Sequence, residues 1–296
     1  MNFVVYKTNT LKAAKNRIEE LLKAVSRSDI DSPHIVIVPD RASLAAERSM
    51  LAAVGGSFNI QVFTFNRYAG LIAPETLKPL SGQMAVLEMM KVIEQNADRL
   101  VCFSGAGNTE GFARKIYDVI SLLKYNRISP EKLLCACDDK ALSLKLKDIA
   151  LVYSAFQASV ENRYLDSADK LETLLNAVGS SEQVKKSVYY IYDFDGLSVQ
   201  EEAIVESLVR YSRGVYAACA AGAGYMYSNG FYASLNRIAA KTGGCREINV
   251  REDGSEVLSA REKALLFGTV DKPAPLPREK FTLVSAADAD PRRSAP

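Results

Sequence analysis

Histidine occurs once, at His34, tryptophan does not occur, and no glycine precedes Gly55. Each scarcity excludes something. With one histidine, a histidine-ligated zinc site or a Ser-His nucleophilic pair has almost no material. Cysteine is sparse too: Cys102, Cys135, Cys137, Cys219 and Cys245. Only Cys135 and Cys137 lie close together, and one intervening residue is not the usual chelating spacing. Structural or incidental roles are expected for all five thiols, and no metal site. Long apolar runs are missing, so nothing reaches the roughly 20 residues a membrane helix needs. A bias of charge is missing as well: 37 basic residues face 35 acidic ones, net +2. That balance neither demands nor excludes nucleic acid, since a large machine can confine its basic residues to one channel. The opening Met1–Tyr6 has neither a basic start nor a small-residue cleavage site. It is not expected to be a signal peptide, and the expected compartment is the cytoplasm.

What is present is a rhythm. Phe3–Tyr6 is β-prone, and a helical pattern follows over Leu11–Val25. Ile35–Val38 is a continuous apolar run closed by Pro39, the mark of a strand buried on both faces. A helix over Ala42–Ala53, ended by Gly55-Gly56, leads to a third strand over Ile60–Phe65. This alternation predicts an α/β domain with a parallel sheet. From Ser81 to Asn176 the pattern is almost all helical. One apolar stripe is Phe112, Ile116, Val119, Ile120 and Leu123; another is Leu146, Ile149, Tyr153, Phe156 and Val160. The rhythm resumes with a strand at Val188–Tyr192, a helix over Val199–Tyr211, a strand at Val215–Cys219, a helix over Phe231–Lys241 and a strand at Glu247–Val250. The predicted organisation is an α/β sheet in two parts, residues 1–76 and 187–270, with a large all-helical insertion at 77–186. Residues 271–296 read as a linker, proline-rich over Lys272–Arg278, followed by the first strand of a further domain at Phe281–Val284. The chain is expected to stop just as that domain begins.

A nucleotide-hydrolysing domain on such a sheet needs a glycine-rich phosphate loop with a Lys and a Ser/Thr after its first strand. It also needs an acid at the end of a later strand to hold Mg²⁺. Here the first loop runs Tyr6-Lys7-Thr8-Asn9-Thr10-Leu11-Lys12-Ala13. Lys12 stands where the phosphate lysine belongs, but there is no glycine and Ala13 replaces the hydroxyl residue. An ordinary strand–turn–helix capped by Thr8 or Thr10 is the better reading. The second device survives in outline as Asp193 and Asp195, after Val188–Tyr192. With no phosphate loop opposite, these acids read as turn caps, and Ser198 with Glu201 as a capping box. Lys12, Asp193 and Asp195 are thus remnants of a degenerate nucleotide site, and no catalytic residue is assigned.

Five ordered segments carry a more specific likeness: Val38-Pro39-Asp40-Arg41-Ala42-Ser43 with Glu47; Gly56-Ser57 with Val62–Ala69; Leu123–Leu133; Tyr164–Asp169; and Asp193–Glu201. Together they resemble the N-terminal portion of the AddB/RexB family of bacterial DNA-end-processing helicase–nuclease subunits. The resemblance implies a RecA-like sheet, a degenerate superfamily 1 helicase domain 1A, with a helical 1B-type insertion. It further implies a scaffold that scans single-stranded DNA for the recombination hotspot Chi, acting on double-stranded ends beside an AddA/RexA-type helicase–nuclease partner as a heterodimer in DNA repair and recombination. ATP and Mg²⁺ would be used by that partner. The family's nuclease and its 4Fe–4S cluster belong to a C-terminal region that these residues do not include, and Cys135 and Cys137 do not match its ligands. No cofactor is therefore expected in this stretch, and no membrane contact.

The loops after Val38 and Phe65 lie at the carboxyl edge of the predicted sheet, where such sheets bind ligands. There Arg41, Ser43, Thr64, Asn66 and Arg67 could donate to phosphates or base edges, and Tyr68 could stack on a base. These positions match the family's hotspot-reading segments, with Arg41 standing where Gln is usual. Surface salt bridges or caps are the competing reading for Arg41 and Arg67. Lys124 and Arg127, at a helix end, read first as complements to its dipole and second as DNA contacts. Three functions remain in play: a non-catalytic DNA-binding scaffold, a protein-interaction module docking the partner helicase–nuclease, and an NTPase with an atypical phosphate loop.

Overall fold

The computed structural model describes residues 2–8, 10–73, 77–105, 109–135, 139–221 and 229–250. The expected linker and start of a further domain at 271–296, with its strand at Phe281–Val284, and also residues 251–270 and Cys137, lie outside the described residues. Met1–Glu252 forms one compact unit and Asp253–Pro296 a second, which falls outside them.

The first unit begins with strand β1 (Phe3–Thr8), helix α1 (Leu11–Ser28), strand β2 (His34–Ile37), a 3-10 turn (Asp40–Ala42) and helix α2 (Ser43–Val54). Next come β3 (Ile60–Phe63), α3 (Phe65–Ile72), β4 (Lys78–Pro79), α4 (Gly82–Gln95), α5 (Glu110–Tyr125), α6 (Pro130–Leu134) and α7 (Lys140–Val160). It continues through β5 (Tyr164–Leu165), α8 (Ser167–Val178), α9 (Glu182–Lys186), β6 (Val188–Tyr192), α10 (Val199–Tyr211), β7 (Gly214–Ala220), α11 (Asn229–Thr242) and β8 (Arg246–Val250). The six long strands form one parallel sheet in the order β3-β2-β6-β7-β1-β8. This is the expected α/β architecture, a RecA-like parallel sheet with a helical part.

Period-two alternation sorts the strand side chains between two layers. Val4, Tyr6, Val36, Val38, Tyr190 and Tyr192 pack under α1 and α2 with Ile18, Leu22, Ala46 and Met50. Phe3, Val5, Ile35, Ile37, Tyr189 and Ile191 face the other way, against α3, α8, α10 and α11. A third apolar cluster contains no residue of the six-stranded sheet: Met89, Val92, Ile116, Ile120, Leu133, Tyr153 and Phe156 bind α4, α5, α6 and α7 into a helical block. The last helices of the segment 77–186 pack differently. Leu171, Leu174 and Val178 of α8, with Val184 of α9, join the sheet's own core.

Two local readings need correction. The third strand stops at Phe63, not Phe65, because the Thr64 hydroxyl accepts from Arg67 N and starts α3 there. Val119 is not part of the buried stripe of α5; it is 39% exposed while Ile116 and Ile120 are buried. One element had no sequence signal: β4 and β5 form a two-residue parallel ladder, extended by Leu80 N–H to Leu165 O at 2.9 Å, which ties the two ends of the helical block together.

Candidate functional site

Strand order decides where a ligand fits. From β2 the chain crosses through α2 to β3 on one side, while from the adjacent β6 it crosses through α10 to β7 on the other. Loops leaving in opposite directions open a crevice at the carboxyl ends of the two strands. That crevice, about 260 Å³, is lined by Pro39, Asp40 and Arg41 after β2, Thr64 and Asn66 after β3, and Phe194, Asp195 and Gly196 after β6. Its floor is apolar: the buried rings of Phe65 and Phe194 lie 5.7 Å apart.

Arg41 spans the crevice. Its Nη2 donates to the Asp193 carbonyl at 2.7 Å and to Asp195 Oδ2 at 3.0 Å, and its Nη1 lies 3.5 Å from Asp193 Oδ2. Half of the Arg41 side chain stays exposed, as does 74% of Asp195. The loop that presents these acceptors is constrained twice. Asp193 adopts φ +67°, a left-handed conformation that Asp tolerates better than most residues. Gly230 of α11 then touches the same loop so closely that a Cβ there would lie 2.6 Å from the Asp195 carbonyl. Burial pushes the Asp193 carboxyl above its usual range, with Arg41 opposing and Asp195 reinforcing the shift.

The other predicted residues divide. Asn66 lines the crevice, and its Oδ1 is buried without a hydrogen-bond partner. Thr64 is there too, but its hydroxyl caps α3. Arg67 turns toward α2, donating to Glu47 at 2.7 Å and Ser43 at 3.2 Å, so it and Ser43 form a rim pair outside the lining. The surface ion pairs foreseen for Arg41 and Arg67 are therefore both present. Tyr68 is not available to a base: it is 0% exposed, and its hydroxyl meets that of Tyr189 inside the sheet's core. On α3 its position faces the sheet, three residues after Phe65, which fixes its burial. Phe194, Gly196 and Glu201 also line the crevice. Sequence pointed to Asp193 and Asp195 as remnants of a nucleotide site and gave no sign that Asp195 meets Arg41.

Of the three residues expected to be nucleotide-site remnants, Lys12 and Asp193 sit on the α1–α2 side. Lys12 and Asp193 do line one cleft, but Leu11, Ala42, Ala45, Ala46 and Tyr192 line it with them. Thr10 is the residue that caps α1: its hydroxyl accepts the Ala13 N–H at 3.0 Å, a group a phosphate would need. Thr8 instead bonds the carbonyls of Thr10 and Cys219. Asp195 is on the far side of the strand end, in the crevice, and Ser198 with Glu201 forms the expected capping box of α10. Among the described residues no three His, Cys, Asp or Glu side chains are grouped to hold a metal ion. No described helix is long and apolar enough to cross a membrane.

Lys124 and Arg127 belong to a junction, not to the crevice. Buried Lys124 at the end of α5 pairs with Asp166 at 2.6 Å and Asp169 at 2.7 Å, and Arg127 pairs with Glu172 at 2.7 Å. Lys124 does stand in the last turn of α5, where a cation complements the helix dipole, and it is also ion-paired with α8, whose N-cap is Asp166.

With this geometry in place, comparison with known proteins adds a family. The model described as "ADDB, N-terminal" matches residues 12–249. The chain is 30% identical over 208 residues to the B subunit of the ATP-dependent helicase/deoxyribonuclease of Clostridium botulinum, covering 67% of this chain and 17% of that protein. It is 28% identical over 208 residues to the same-named protein of Clostridium kluyveri, with the same two coverages. To that of Staphylococcus saprophyticus it is 27% identical over 225 residues, covering 73% of this chain and 19% of that protein. The chain thus spans less than a fifth of the length of the curated relatives it matches.

Proposed function

We propose, from the premise that this chain belongs to the ADDB N-terminal family, that it is the DNA-holding, non-hydrolytic portion of an AddB-type helicase/deoxyribonuclease subunit that processes DNA ends. Its crevice holds the single strand and reads a Chi-like hotspot, while a partner of the AddA type supplies ATP-driven movement. The observation that carries this reading is the crevice itself. Three loops converge at the switch point of a parallel sheet with an accessible guanidinium, an unpartnered amide oxygen and a second arginine, Arg67, on the rim. Donors such as the two arginines suit phosphates and base edges of an unpaired strand, and the amide oxygen can accept from a base N–H. The lack of hydrolysis is supported by the glycine-free first loop and by the cap that Thr10 places on α1. The helical block is read as the 1B-type insertion and the sheet as domain 1A.

Fluorescence anisotropy with a labelled single-stranded oligonucleotide tests the proposal. Binding is expected at low salt, falling linearly with log salt, and Arg67→Ala is expected to weaken it and make the slope shallower by about one contact. Absence of binding at low salt would sink the DNA-holding role. The rival is a module that docks the partner helicase–nuclease, favoured by apolar side chains such as Leu87 and Leu122 that the helical block leaves exposed. A titration with a fluorescent ATP analogue is expected to show no binding, which disposes of the NTPase alternative.

A further inference from the structure

We infer that the crevice is selective for a single unstacked guanine. The inference rests on the proposal that this site takes single-stranded DNA, and names the base it prefers. Guanine is the base whose Hoogsteen edge carries two neighbouring acceptors, O6 and N7, while its Watson–Crick edge carries two neighbouring donors, N1–H and N2–H₂. The crevice offers the complement of both. Arg41 supplies a planar donor fork, the geometry that pairs with O6 and N7. Its aim is set by the 2.7 Å bond from Nη2 to the Asp193 carbonyl, on a loop that Gly230 holds in place. Asp195 supplies a carboxylate acceptor 3.0 Å from the same guanidinium, and its high exposure leaves it free to exchange Arg41 for a base donor. Asn66 supplies a further acceptor, the buried Oδ1 with no partner. A buried acceptor left unpaired carries a desolvation penalty, and a base N–H removes it.

The other bases fit less well. Adenine would set its N6 amino group against the Arg41 donors, and cytosine would do the same with N4. Thymine has one ring N–H flanked by carbonyl oxygens, so it cannot give paired donors to Asp195 and Asn66. With Asp193 and Asp195 both beside Arg41, a bare phosphate meets two carboxylates at this point. A base that offers acceptors to the arginine and donors to the carboxylate suits that mixed charge better. The volume of about 260 Å³ and the apolar floor of Phe65 and Phe194 suit one inserted base.

The test uses the 296-residue chain and fluorescein-labelled oligothymidylates that differ at one central nucleotide: dG, dA, dC, dT, inosine or 7-deaza-dG. The dG oligonucleotide is expected to bind roughly tenfold more tightly than the dA or dT ones. Losing N7 in 7-deaza-dG and losing the 2-amino group in inosine should each remove part of that gain. Arg41→Gln is expected to move the preference from dG to dA, since Gln pairs with adenine N6 and N7, and circular dichroism melting checks that this variant is folded. Equal binding of dG, dA and 7-deaza-dG oligonucleotides would overturn the guanine inference and leave the DNA-holding role standing. No binding to any of them would overturn both.

Discussion

His34 shows how much one residue can settle. It is 1% exposed at the start of β2, with Nδ1 3.1 Å from the Tyr190 hydroxyl and Nε2 3.2 Å from the Asp29 carbonyl. Burial lowers its pKa; the Asp29 carbonyl and carboxylate work against that, and the Arg213 guanidinium adds to it. A base whose folded pKa lies below its unfolded value is neutral in the folded protein where the unfolded chain already binds a proton. The unfolded state then holds more protons, so stability rises with pH across that window. The contribution is complete above the ordinary histidine value of about 6.5 and is lost as pH falls through the lower folded value. Urea unfolding at pH 7.5 and 5.5 should give a lower midpoint at 5.5, and His34→Gln should flatten the difference. An equal drop in both proteins would show that other groups carry it. Tyr68 makes the opposite point about legibility. Its polar tip and its place after a strand suggest a surface role, yet its partner, Tyr189, lies 121 residues away, beyond the reach of any local pattern.

At the scale of elements, what sequence revealed depended on where an element's stability comes from. The strands were legible because Ile35–Val38 and Val188–Tyr192 are apolar on both faces, and the sheet buries both. Caps were legible where a short-range rule governs them, as at Ser198 and Glu201. The β4–β5 ladder was not, because two residues on each side carry no periodicity and the pairing is set by the surrounding fold. Nor was the junction of α5 with α8. Burial alone would lower the Lys124 pKa, but Asp166 and Asp169 outweigh it and raise the value. The Lys124 and Asp166 side chains are only 8% and 4% exposed. Removing one partner of a buried pair leaves an uncompensated charge, at a cost of about 3–5 kcal/mol. Lys124→Met should therefore lower Tm by several degrees or more. Adding Asp166→Asn should restore part of that loss, because Asn still serves as the N-cap of α8. If the double variant melts no higher than the single one, the stranded charge is not the cause.

At the scale of the whole molecule, the α/β rhythm announced one sheet and one helical interruption, but not how the two are joined. Within the compact unit Met1–Glu252 the α4–α7 block has an apolar cluster of its own, centred on residues such as Phe156, Ile120 and Met89. Links from the block to the sheet layer include the Lys124 and Arg127 ion pairs with α8. Side chains of α8, by contrast, are shared with the sheet's core. A block with its own core and partly polar links can open without the rest, since stability is distributed over cooperative units and not spread evenly. Phe156 is 0% exposed and packs edge-on against Tyr117 at 5.7 Å. Its replacement by alanine should cost about 3–5 kcal/mol, charged first to the unit that contains it. Hydrogen exchange followed by mass spectrometry should then show faster exchange in peptides from α4, α5 and α7, with β2, β6 and β7 as protected as before. Uniform loss of protection across both groups would mean that block and sheet unfold together, and that the junction is stronger than its polar links imply.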